Sequence, residues 1–346
     1  CSVISGGENG IFIILLIFLK NIIYLNNTRS PYLLLRYYCF YLCQTFPPAY
    51  ETFYCNIQFF TKYCLYLHIE KNDVYKKNTA RMNDYGLVSI ITPTWECGNF
   101  IEDTIKSVLA QTYVNWELLV QDDFSTDNTA NIVKRYALSD ARIKYDCNEK
   151  NIGAAATRNK AICRASGRWV AFLDADDLWL PSKLEHQLRF MVENNHAFSY
   201  HEYNEINEDG EKNGEYVSGI SRVNRMAMLA CCWPGCLTVM YDRDSIGLVQ
   251  INEIARNNDT AIWLKIVRKS PCYLLKENLA CYRRRNNSIT PKSILKRIWS
   301  HYPLFRVAEE MNPLLATFWT LVNVFGNGLK KTFYVKHRDT KCHDIE

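Results

Sequence analysis

Long hydrophobic runs are scarce in this sequence of 346 residues. The most apolar stretches are residues 11–19, which Lys20 and Asn21 interrupt, and residues 314–325. Both are shorter than the roughly 20 residues that a helix needs to cross a bilayer. The first stretch also lacks the basic start and small-residue cleavage site of a signal peptide. We therefore predict neither a set of membrane-spanning helices nor a secretory signal.

Cysteine motifs that bind metal are also missing, although the chain has 14 cysteines. No C-x-x-C pair occurs, and Cys231, Cys232 and Cys236 have no histidine partner that would complete a zinc site. A chain of this length builds its own core and does not need a disulfide scaffold. We interpret the cysteines as buried free thiols in a reducing compartment.

The first 81 residues lack both a methionine and a steady strand or helix period. They are rich in Cys, Tyr, Phe, Asn and Ile, and the first methionine is Met82. Our hypothesis is that residues 1–81 are not part of the working protein and that Met82 is its natural start. The alternative is a poorly folded anchor or leader. The other predicted domains are an α/β domain at 82–290 and a C-terminal helical region at 291–346.

From Leu87 onward the pattern is typical of a soluble α/β protein. Apolar residues make up 48% of the chain and charged residues 22%, and the net charge of +5 is mild. Strand patterns alternate with helical spacing, which predicts a Rossmann-like, mostly parallel central sheet with right-handed crossovers and flanking helices. The predicted strands are 87–92, which Pro93 ends, and 116–120, 143–145, 169–173, 197–203, 215–217, 237–241 and 272–282. The predicted helices are 100–109, one through 132–136, 154–165, 181–193, 259–267 and a C-terminal set after Pro291.

Three aspartates, Asp174, Asp176 and Asp177, follow the predicted strand at 169–173. Clustered carboxylates repel one another and resist desolvation, so they are tolerated where a cation neutralises them. Oxygen ligands at the carboxyl end of a buried strand suit a hard ion such as Mg²⁺ or Mn²⁺. An isolated D-x-D is more often a solvated acidic loop, but the neighbouring strands end in polar groups as well.

Candidate site residues recur at these strand ends: Thr92-Pro93-Thr94 after the first strand, Asp122 and Asp123 after the second, and Arg158 in the helix that Gly153 opens. In a parallel sheet these positions face the same edge. Carboxylates there can accept hydrogen bonds from ribose hydroxyls or from N3–H of uracil, and an arginine can neutralise a diphosphate. Together they favour a nucleotide-diphosphate site over separate roles as helix caps, turn formers and solvated residues.

Four segments strongly resemble the family 2 glycosyltransferases of the GT-A fold. They are L-V-S-I-I-T-P-T-W at 87–95, S-V-L-A-Q-T-Y-V-N-W-E-L-L-V-Q-D-D-F-S-T-D-N-T at 107–129, N-I-G-A-A-A-T-R-N-K-A at 151–161 and F-L-D-A-D-D at 172–177. The resemblance extends over about residues 87–290. It implies an inverting sugar transfer from a nucleotide-diphosphate donor, usually a UDP-sugar, with Mn²⁺ or Mg²⁺. Residues 235–241 also resemble a subgroup that builds bacterial surface polysaccharides, such as teichuronic acid or lipopolysaccharide side chains, on glycan acceptors that are often lipid-linked.

The resemblance implies roles for the residues at the strand ends. Asp123 would contact the base, Arg158 would approach the diphosphate, and Asp176 would bind the metal. Asp174 would touch the ribose and share the metal. The implied nucleotide-sugar-binding set is Pro93, Thr94, Glu96, Asp122, Asp123, Arg158, Asp174 and Arg283, with Asp174 and Asp176 as metal ligands.

The family's catalytic base is an aspartate at the start of a later helix, in a pattern like E-D-x-x-x-W-L. The segment N-N-D-T-A-I-W-L at 257–264 matches it, with Asn258 where glutamate is common, so Asp259 is the expected base. A carboxylate suits this role because it deprotonates the acceptor hydroxyl that attacks the anomeric carbon. The structural alternative is that Asp259 is the N-cap of its helix.

Arginines follow the last predicted strand, in a segment that resembles the family's Y-R…S-I-S motif. Arg283 would help hold the diphosphate or the acceptor. Arg284 and Arg285 fit a solvated strand end equally well. Ser288, Ile289 and Thr290 complete the similarity.

Three other functions compete with the transferase interpretation. A nucleotidyltransferase would normally carry a basic, Gly-rich N-terminal loop, but residues 92–99 contain no basic side chain. A non-catalytic sugar-nucleotide-binding protein would keep the donor residues and lose the base. A nucleic-acid-binding module would suffer repulsion between phosphate and the aspartates without metal, so we expect no nucleic-acid partner.

The C-terminal region lacks the features of a processive synthase, since the chain has no Q-x-x-R-W motif and no set of membrane helices. We therefore expect one transfer per binding event. Residues 314–325 with the basic cluster that includes Lys330, Lys331 and Arg338 fit a helix in a membrane interface and a helix packed on the catalytic domain equally well. The expected location is the cytoplasm, with or without peripheral contact at the inner face of the cytoplasmic membrane.

Overall fold

The computed structural model describes residues 84–251, 254, 256–285 and 293–337. The hypothesis about residues 1–81 falls outside these residues, as do Ser288, Ile289, Thr290 and Arg338. Within the described part, the strands are β1 (Val88–Thr94), β2 (Trp116–Asp122), β3 (Ile143–Cys147), β4 (Trp169–Phe172), β5 (Leu178–Trp179), β6 (Phe198–Ile206), β7 (Lys212–Val217), β8 (Arg222–Val223), β9 (Met240–Asp242), β10 (Cys272–Arg283) and β11 (Val335–His337). The helices are α1 (Ile101–Leu109), α2 (Thr129–Ser139), α3 (Ala154–Cys163), α4 (Lys183–Glu193), α5 (Arg225–Ala230), α6 (Arg243–Ile246), α7 (Asn258–Val267), α8 (Ile294–Pro303) and α9 (Pro313–Tyr334).

One half of the sheet consists of parallel strands in the order β3-β2-β1-β4. Every residue of β2 and β4 is buried, because helices cover both faces of these strands. Alternate residues of β1 enter opposite layers: Ile90 packs in the same apolar cluster as Ile101 of α1, and Ile91 in the same cluster as Ile162 of α3. The predicted mostly parallel, helix-flanked sheet is confirmed here.

The other half of the sheet has mixed strand directions. β9 pairs antiparallel with both β4 and β6, and β7 pairs antiparallel with β6. β10 runs parallel to β6, and β11 runs antiparallel to β7. The sequence pattern did not predict these reversals, because the direction of a strand depends on its spatial neighbours and not on its own residues.

The predicted end of the first strand at Pro93 is wrong, because β1 continues to Thr94. The carbonyl of Ile91 accepts a hydrogen bond from Leu173 N on the β4 side, and alternate residues of a strand face the same neighbour. The backbone nitrogen of Pro93 therefore also faces the β4 side. Since β4 ends at Phe172, level with Ile91, the missing N–H of Pro93 costs the sheet no hydrogen bond.

The predicted strand at 237–241 also needs correction. Cys236–Thr238 forms a 3₁₀ turn, and β9 begins only at Met240. The carbonyl of Gly235 accepts hydrogen bonds from the backbone nitrogen and the hydroxyl of Thr238, at 3.0 and 2.7 Å, which tightens the chain into a turn. Leu237 is buried all the same, so its apolar character gave a misleading strand signal.

The C-terminal region is helical, as predicted, and α9 extends beyond the apolar stretch at 314–325. The side chain of Asn312 caps the helix by accepting a hydrogen bond from Leu315 N at 2.9 Å. Asn323 Nδ2 donates to the carbonyl of Leu229 in α5 at 2.8 Å, so α9 packs on the rest of the domain. Within the described part of the chain, no helix combines the length and the hydropathy that a membrane span requires.

Candidate active site

Asp122, the last residue of β2, organises the loop that follows the strand. Its Oδ1 accepts hydrogen bonds from the backbone nitrogen and the hydroxyl of Ser125, at 3.0 and 2.6 Å. Its Oδ2 accepts one from Tyr145 OH at 2.8 Å. The carboxylate is fully buried, so Asp122 shapes the loop beside the site.

Asp123 ties this edge of the sheet to the loop before α3. Its Oδ1 accepts hydrogen bonds from Asn148 Nδ2 at 2.9 Å and from Ile152 N at 2.8 Å, and its Oδ2 accepts one from Gly153 N at 2.8 Å. Gly153 has a φ of +86°, a conformation in which a side chain would be strained. This glycine turns its N–H toward the carboxylate just before α3 begins.

The loop after β1 is tied to the loop after β2. Glu96 Oε1 accepts hydrogen bonds from the backbone nitrogen and the hydroxyl of Thr126, at 2.7 and 3.0 Å. Asp127 Oδ2 accepts one from Gly98 N at 2.8 Å, and its Oδ1 accepts one from Thr129 N at 3.0 Å at the start of α2. Glu96 and Asp127 therefore hold the two loops together. Asp127 also accepts a hydrogen bond from the first backbone nitrogen of α2.

Arg158 of α3 joins the acidic cluster to the start of α7. Its Nη2 donates to Asp174 Oδ1 at 2.6 Å, and its Nη1 donates to Asn258 Oδ1 at 2.5 Å. The residue is only 5% exposed. Burial alone would lower the pKa of Arg158, but the Asp174 carboxylate raises it, so the guanidinium stays charged. The sequence singled out Arg158 and Asp174, whereas Asn258 was noted only as a departure from the family pattern.

Two further arginines contact the acidic cluster after β4, Arg283 through its backbone nitrogen and Arg285 through its guanidinium. Asp177 Oδ1 accepts a hydrogen bond from Arg283 N at 2.9 Å, and Asp176 Oδ2 accepts one from Arg285 Nη1 at 3.4 Å. Burial raises the pKa of Asp176, and the charge of Asp174 raises it further. The pKa of Asp177 is also raised, by burial and then by both neighbouring aspartates. Repulsion between the carboxylates therefore adds to the effect of burial at both residues.

Two carboxylates of this cluster fit a divalent cation. The side chains of Asp174 and Asp176 are 33% and 22% exposed, so their oxygen atoms are accessible from solvent. Both are hard oxygen donors of the kind that Mg²⁺ and Mn²⁺ prefer. Among the described residues, no group of three or more His, Cys, Asp or Glu side chains is placed to hold a metal ion. Two carboxylates suit an ion that takes its other ligands from water or a bound diphosphate.

Arg283 is buried, and its donors are engaged within the protein. Its Nε donates to the carbonyl of Asp176 at 2.9 Å, and its Nη1 donates to the carbonyl of Glu208 at 2.7 Å. Its Nη2 lies 3.4 Å from Asp103 Oδ2. Arg283 therefore braces the acidic turn, and its contact with a diphosphate or acceptor stays a prediction.

The two arginines that follow have different environments. Arg284 forms a bidentate pair with the buried Glu205 carboxylate, with both N–O distances at 2.6 Å. Arg285 reaches Asp176 and lies over the ring of Phe100, 5.0 Å from its centroid. Neither is merely a solvated strand end. Sequence reasoning missed the approach of Arg285 to Asp176, because nothing in a run of three arginines distinguishes one from the next.

Asp259 lies in the first turn of α7, directly after Asn258. Its Oδ1 accepts a hydrogen bond from Thr260 N at 2.7 Å. Burial raises the pKa of Asp259 above its ordinary value, and this outweighs the lowering by Thr260 N–H and by the Arg158 guanidinium. The alternative of Asp259 as the N-cap is wrong, because Asn257 occupies that position.

Buried thiols line the same region. Thr260 Oγ1 donates to Cys232 Sγ at 3.1 Å, and Cys236 Sγ lies 3.9 Å from Arg158 Nη2. Burial raises the pKa of Cys232 to about 12, so its sulfur is a neutral thiol near pH 7. All cysteines in the described part of the chain are free, as the sequence predicted, but Cys147 and Cys163 are exposed and not buried.

Known proteins share this arrangement of motifs. The family model described as "Glycosyl transferase family 2" matches residues 89–231. The Bacillus subtilis protein TuaG, whose name assigns it to teichuronic acid biosynthesis, is 41% identical over 248 residues, which cover 71% of this chain and 97% of TuaG.

The chain belongs to glycosyltransferase family 2.

A second relative of this transferase is WfgD of Escherichia coli, a UDP-Glc:alpha-D-GlcNAc-diphosphoundecaprenol beta-1,3-glucosyltransferase. It is 39% identical over 254 residues, which cover 72% of this chain and 96% of WfgD. The nucleotidyltransferase, nucleic-acid and non-catalytic alternatives are therefore set aside in favour of a glycosyltransferase.

The transferase also shares its fold with solved structures. The crystal structure of S. aureus TarS 1–349 in complex with UDP-GlcNAc superimposes with a TM-score of 0.54 and 19% sequence identity, over 71% of this chain and 73% of that one. At this identity the likeness concerns the fold alone. The predicted GT-A fold is thereby confirmed.

Proposed function

We propose that the transferase moves a sugar from a UDP-sugar onto a hydroxyl group of a lipid-linked glycan, with inversion at the anomeric carbon. The observation that carries this proposal is the Arg158 bridge, in which one buried guanidinium contacts Asp174 and Asn258. Arg158 thereby links Asp174, which follows β4, to the first turn of α7. That turn also includes Asp259. A single displacement needs its donor groups and its base in such proximity.

In the proposed reaction, the acceptor hydroxyl oxygen attacks the anomeric carbon while the bond from that carbon to the diphosphate oxygen breaks. Asp259 takes the hydroxyl proton, and UDP leaves with the electron pair of the broken bond. The raised pKa of Asp259 supports this role, because a base with a pKa closer to the working pH accepts a proton more readily. Arg158 remains cationic and stabilises the negative charge on the leaving group.

The donor site uses the residues at the sheet edge. Asp123 accepts a hydrogen bond from the uracil base. Pro93, Thr94 and Glu96 lie along the border of the donor site. Asp174 and Asp176 hold a divalent ion, Mn²⁺ or Mg²⁺. When bound, this ion neutralises negative charge on the diphosphate.

The acceptor class follows from the names of the relatives. WfgD acts on a sugar linked to diphosphoundecaprenol, and TuaG is named for teichuronic acid biosynthesis. We therefore assign the transferase to cell-envelope polysaccharide synthesis at the cytoplasmic side of the membrane, with one transfer per binding event.

The metal and donor assignments are tested by titrating UDP into the full-length protein, by calorimetry, with Mn²⁺ and with EDTA. The Asp176→Asn variant should weaken Mn²⁺-dependent UDP binding by about 100-fold or more, because it loses a carboxylate that would hold the ion. The control is Asp244→Asn, which changes a carboxylate that is 73% exposed on α6, and its binding should equal that of the wild type. UDP binding that is equal with Mn²⁺ and EDTA, and equal in both variants, would contradict the metal site.

A further inference from the structure

Helix α9 reverses the usual arrangement of a surface helix. Small and polar residues face the protein, with Ala316, Thr320 and Asn323 each at most 1% exposed. Large apolar residues at spacings of three and four face outward, each between 44% and 86% exposed. We call them the outer stripe: Leu314, Phe318, Leu321, Phe325, Leu329 and Phe333.

The inner face of α9 is fixed by close contact and hydrogen bonds. A side chain at Gly326 would place its Cβ 2.2 Å from the carbonyl oxygen of Ala230, so the backbones of α9 and α5 almost touch there. Asn323 donates to Leu229 O at 2.8 Å. Small and hydrogen-bonded residues at the inner face are typical of helices whose outer side contacts lipid. Rotating the helix to bury the outer stripe would break these contacts.

The outer stripe is too large to be an ordinary exposed patch. Burying one Leu or Phe side chain stabilises a protein by about 1.5–3 kcal/mol, and the stripe leaves six of them in water. Soluble monomers rarely expose contiguous apolar patches of this kind without a partner. The stripe therefore indicates a surface that something covers.

The charge of α9 indicates which kind of surface covers the outer stripe. The helix contains no Asp or Glu, and its C-terminal end carries Lys330 and Lys331, followed by Lys336 in β11. Lys331 and Lys336 are exposed. An apolar face with basic side chains at its C-terminal end matches the interface of a bilayer that contains anionic lipids.

A series of contacts links the outer stripe to the first turn of α7. A cavity of about 560 Å³ lies between α5 and α9, with Leu329 and Phe333 of the stripe in its wall. Lys330 in the same wall donates to the carbonyl of Cys232 at 3.0 Å. The Cys232 thiol accepts from Thr260 Oγ1 at 3.1 Å, and Thr260 directly follows the proposed base. Residues packed beside the stripe are therefore joined by hydrogen bonds to the residue that follows the proposed base.

We propose that the outer stripe of α9 lies in the interface of an anionic bilayer, with the helix parallel to the membrane surface. Docking in this orientation holds the start of α7 near the lipid headgroups. There the enzyme meets an acceptor that is itself anchored in the membrane; this last point rests on the proposed function, whereas the docking does not.

Flotation of the full-length protein with phosphatidylglycerol and with phosphatidylcholine vesicles tests this inference. We expect stronger binding to the anionic vesicles, and weaker binding as salt is added. The double variant Phe318→Ser/Phe325→Ser should lower the vesicle-bound fraction at least about 10-fold. The matched control is Val114→Ser/Leu138→Ser, which removes two apolar residues that are 60% and 91% exposed elsewhere, and it should bind like the wild type.

Two further measurements separate the possible outcomes. Circular dichroism and UDP titration of the stripe variant should match those of the wild type, which excludes misfolding as the cause of lost docking. If the wild type floats but binds no UDP, the proposed function fails and the docking stands. No flotation, together with a dimer in light scattering that the stripe variant abolishes, would assign the stripe to a second copy of the chain and overturn the proposal.

Discussion

Arg158 and Glu117 show how two buried charges in one domain serve different purposes. The partners of Arg158 include Asp174, whose side chain is 33% exposed and therefore accessible to a ligand. Glu117, by contrast, is 3% exposed and accepts hydrogen bonds from Ser89 Oγ at 2.6 Å, Ser166 N at 2.8 Å and Lys144 Nζ at 2.6 Å. A carboxylate that the protein satisfies fully is structural, whereas the acidic cluster with its raised pKa values is available for chemistry.

Glu117→Gln should destabilise the fold by about 2–3 kcal/mol at pH 7, because charge-assisted hydrogen bonds are lost in the core. Burial alone would raise the pKa of Glu117, but the bonds from Lys144, Ser89 and Ser166 lower it from 4.5 to about 2. A lowered folded-state pKa contributes stability above the unfolded value, and this stability is lost as the pH falls toward 2. Urea unfolding should therefore show a smaller difference between variant and wild type at pH 3 than at pH 7. An equal difference at both values would contradict this assignment.

At the scale of elements, buried strands and their polar ends were predictable. A continuous apolar run marked β4 and a largely apolar one marked β2, and the geometry of a parallel sheet brought Asp123 and Asp174 to one edge. Strands of two residues such as β5 and β8 carry no period and were missed. The contacts of Asn258 with Arg158 and of Arg285 with Asp176 join residues about 100 positions apart, so they follow from the packed structure and not from any local pattern.

The close approach of α9 to α5 is also beyond local prediction, and it depends on one glycine. Gly326 sits where a Cβ would meet the Ala230 carbonyl oxygen at 2.2 Å, whereas a Cβ at Gly328 would meet nothing within 4 Å. Two glycines of the same helix, two residues apart, therefore play different roles.

Gly326→Ala should lower stability by about 1–3 kcal/mol, because the new methyl group overlaps backbone that cannot move freely. Gly328→Ala is the matched control, and it should leave stability unchanged or raise it by about 0.5–1 kcal/mol through improved helix propensity. Thermal unfolding of both variants checks this. Equal melting temperatures for the two would mean that α9 does not pack on α5 as described.

At the scale of the whole molecule, the two halves of the sheet position different parts of the proposed site. The parallel half, β3-β2-β1-β4, ends in the residues that we assign to the nucleotide and the metal. The other half leads to α7 with Asp259 and to α5 and α9 with the outer stripe. Arg158 links these two parts of the molecule, because its guanidinium donates hydrogen bonds to Asp174 and to Asn258. Arg158 thereby joins the proposed donor residues to the helix that carries the proposed base.

The central claim is that Asp259 is the base of a sugar transfer at this edge, and turnover by Asp259→Asn tests it most directly. The measurement is UDP release from UDP-glucose with a GlcNAc-diphospholipid acceptor, alongside UDP titration and the Asp244→Asn control. We predict that Asp259→Asn loses about 100- to 10,000-fold in kcat while its UDP affinity stays within about 2-fold, because the base acts only in the transition state. In the wild type, activity should fall on acidification through a pKa above the ordinary 3.8 of aspartate, as burial of Asp259 requires. Wild-type turnover in Asp259→Asn would contradict the account.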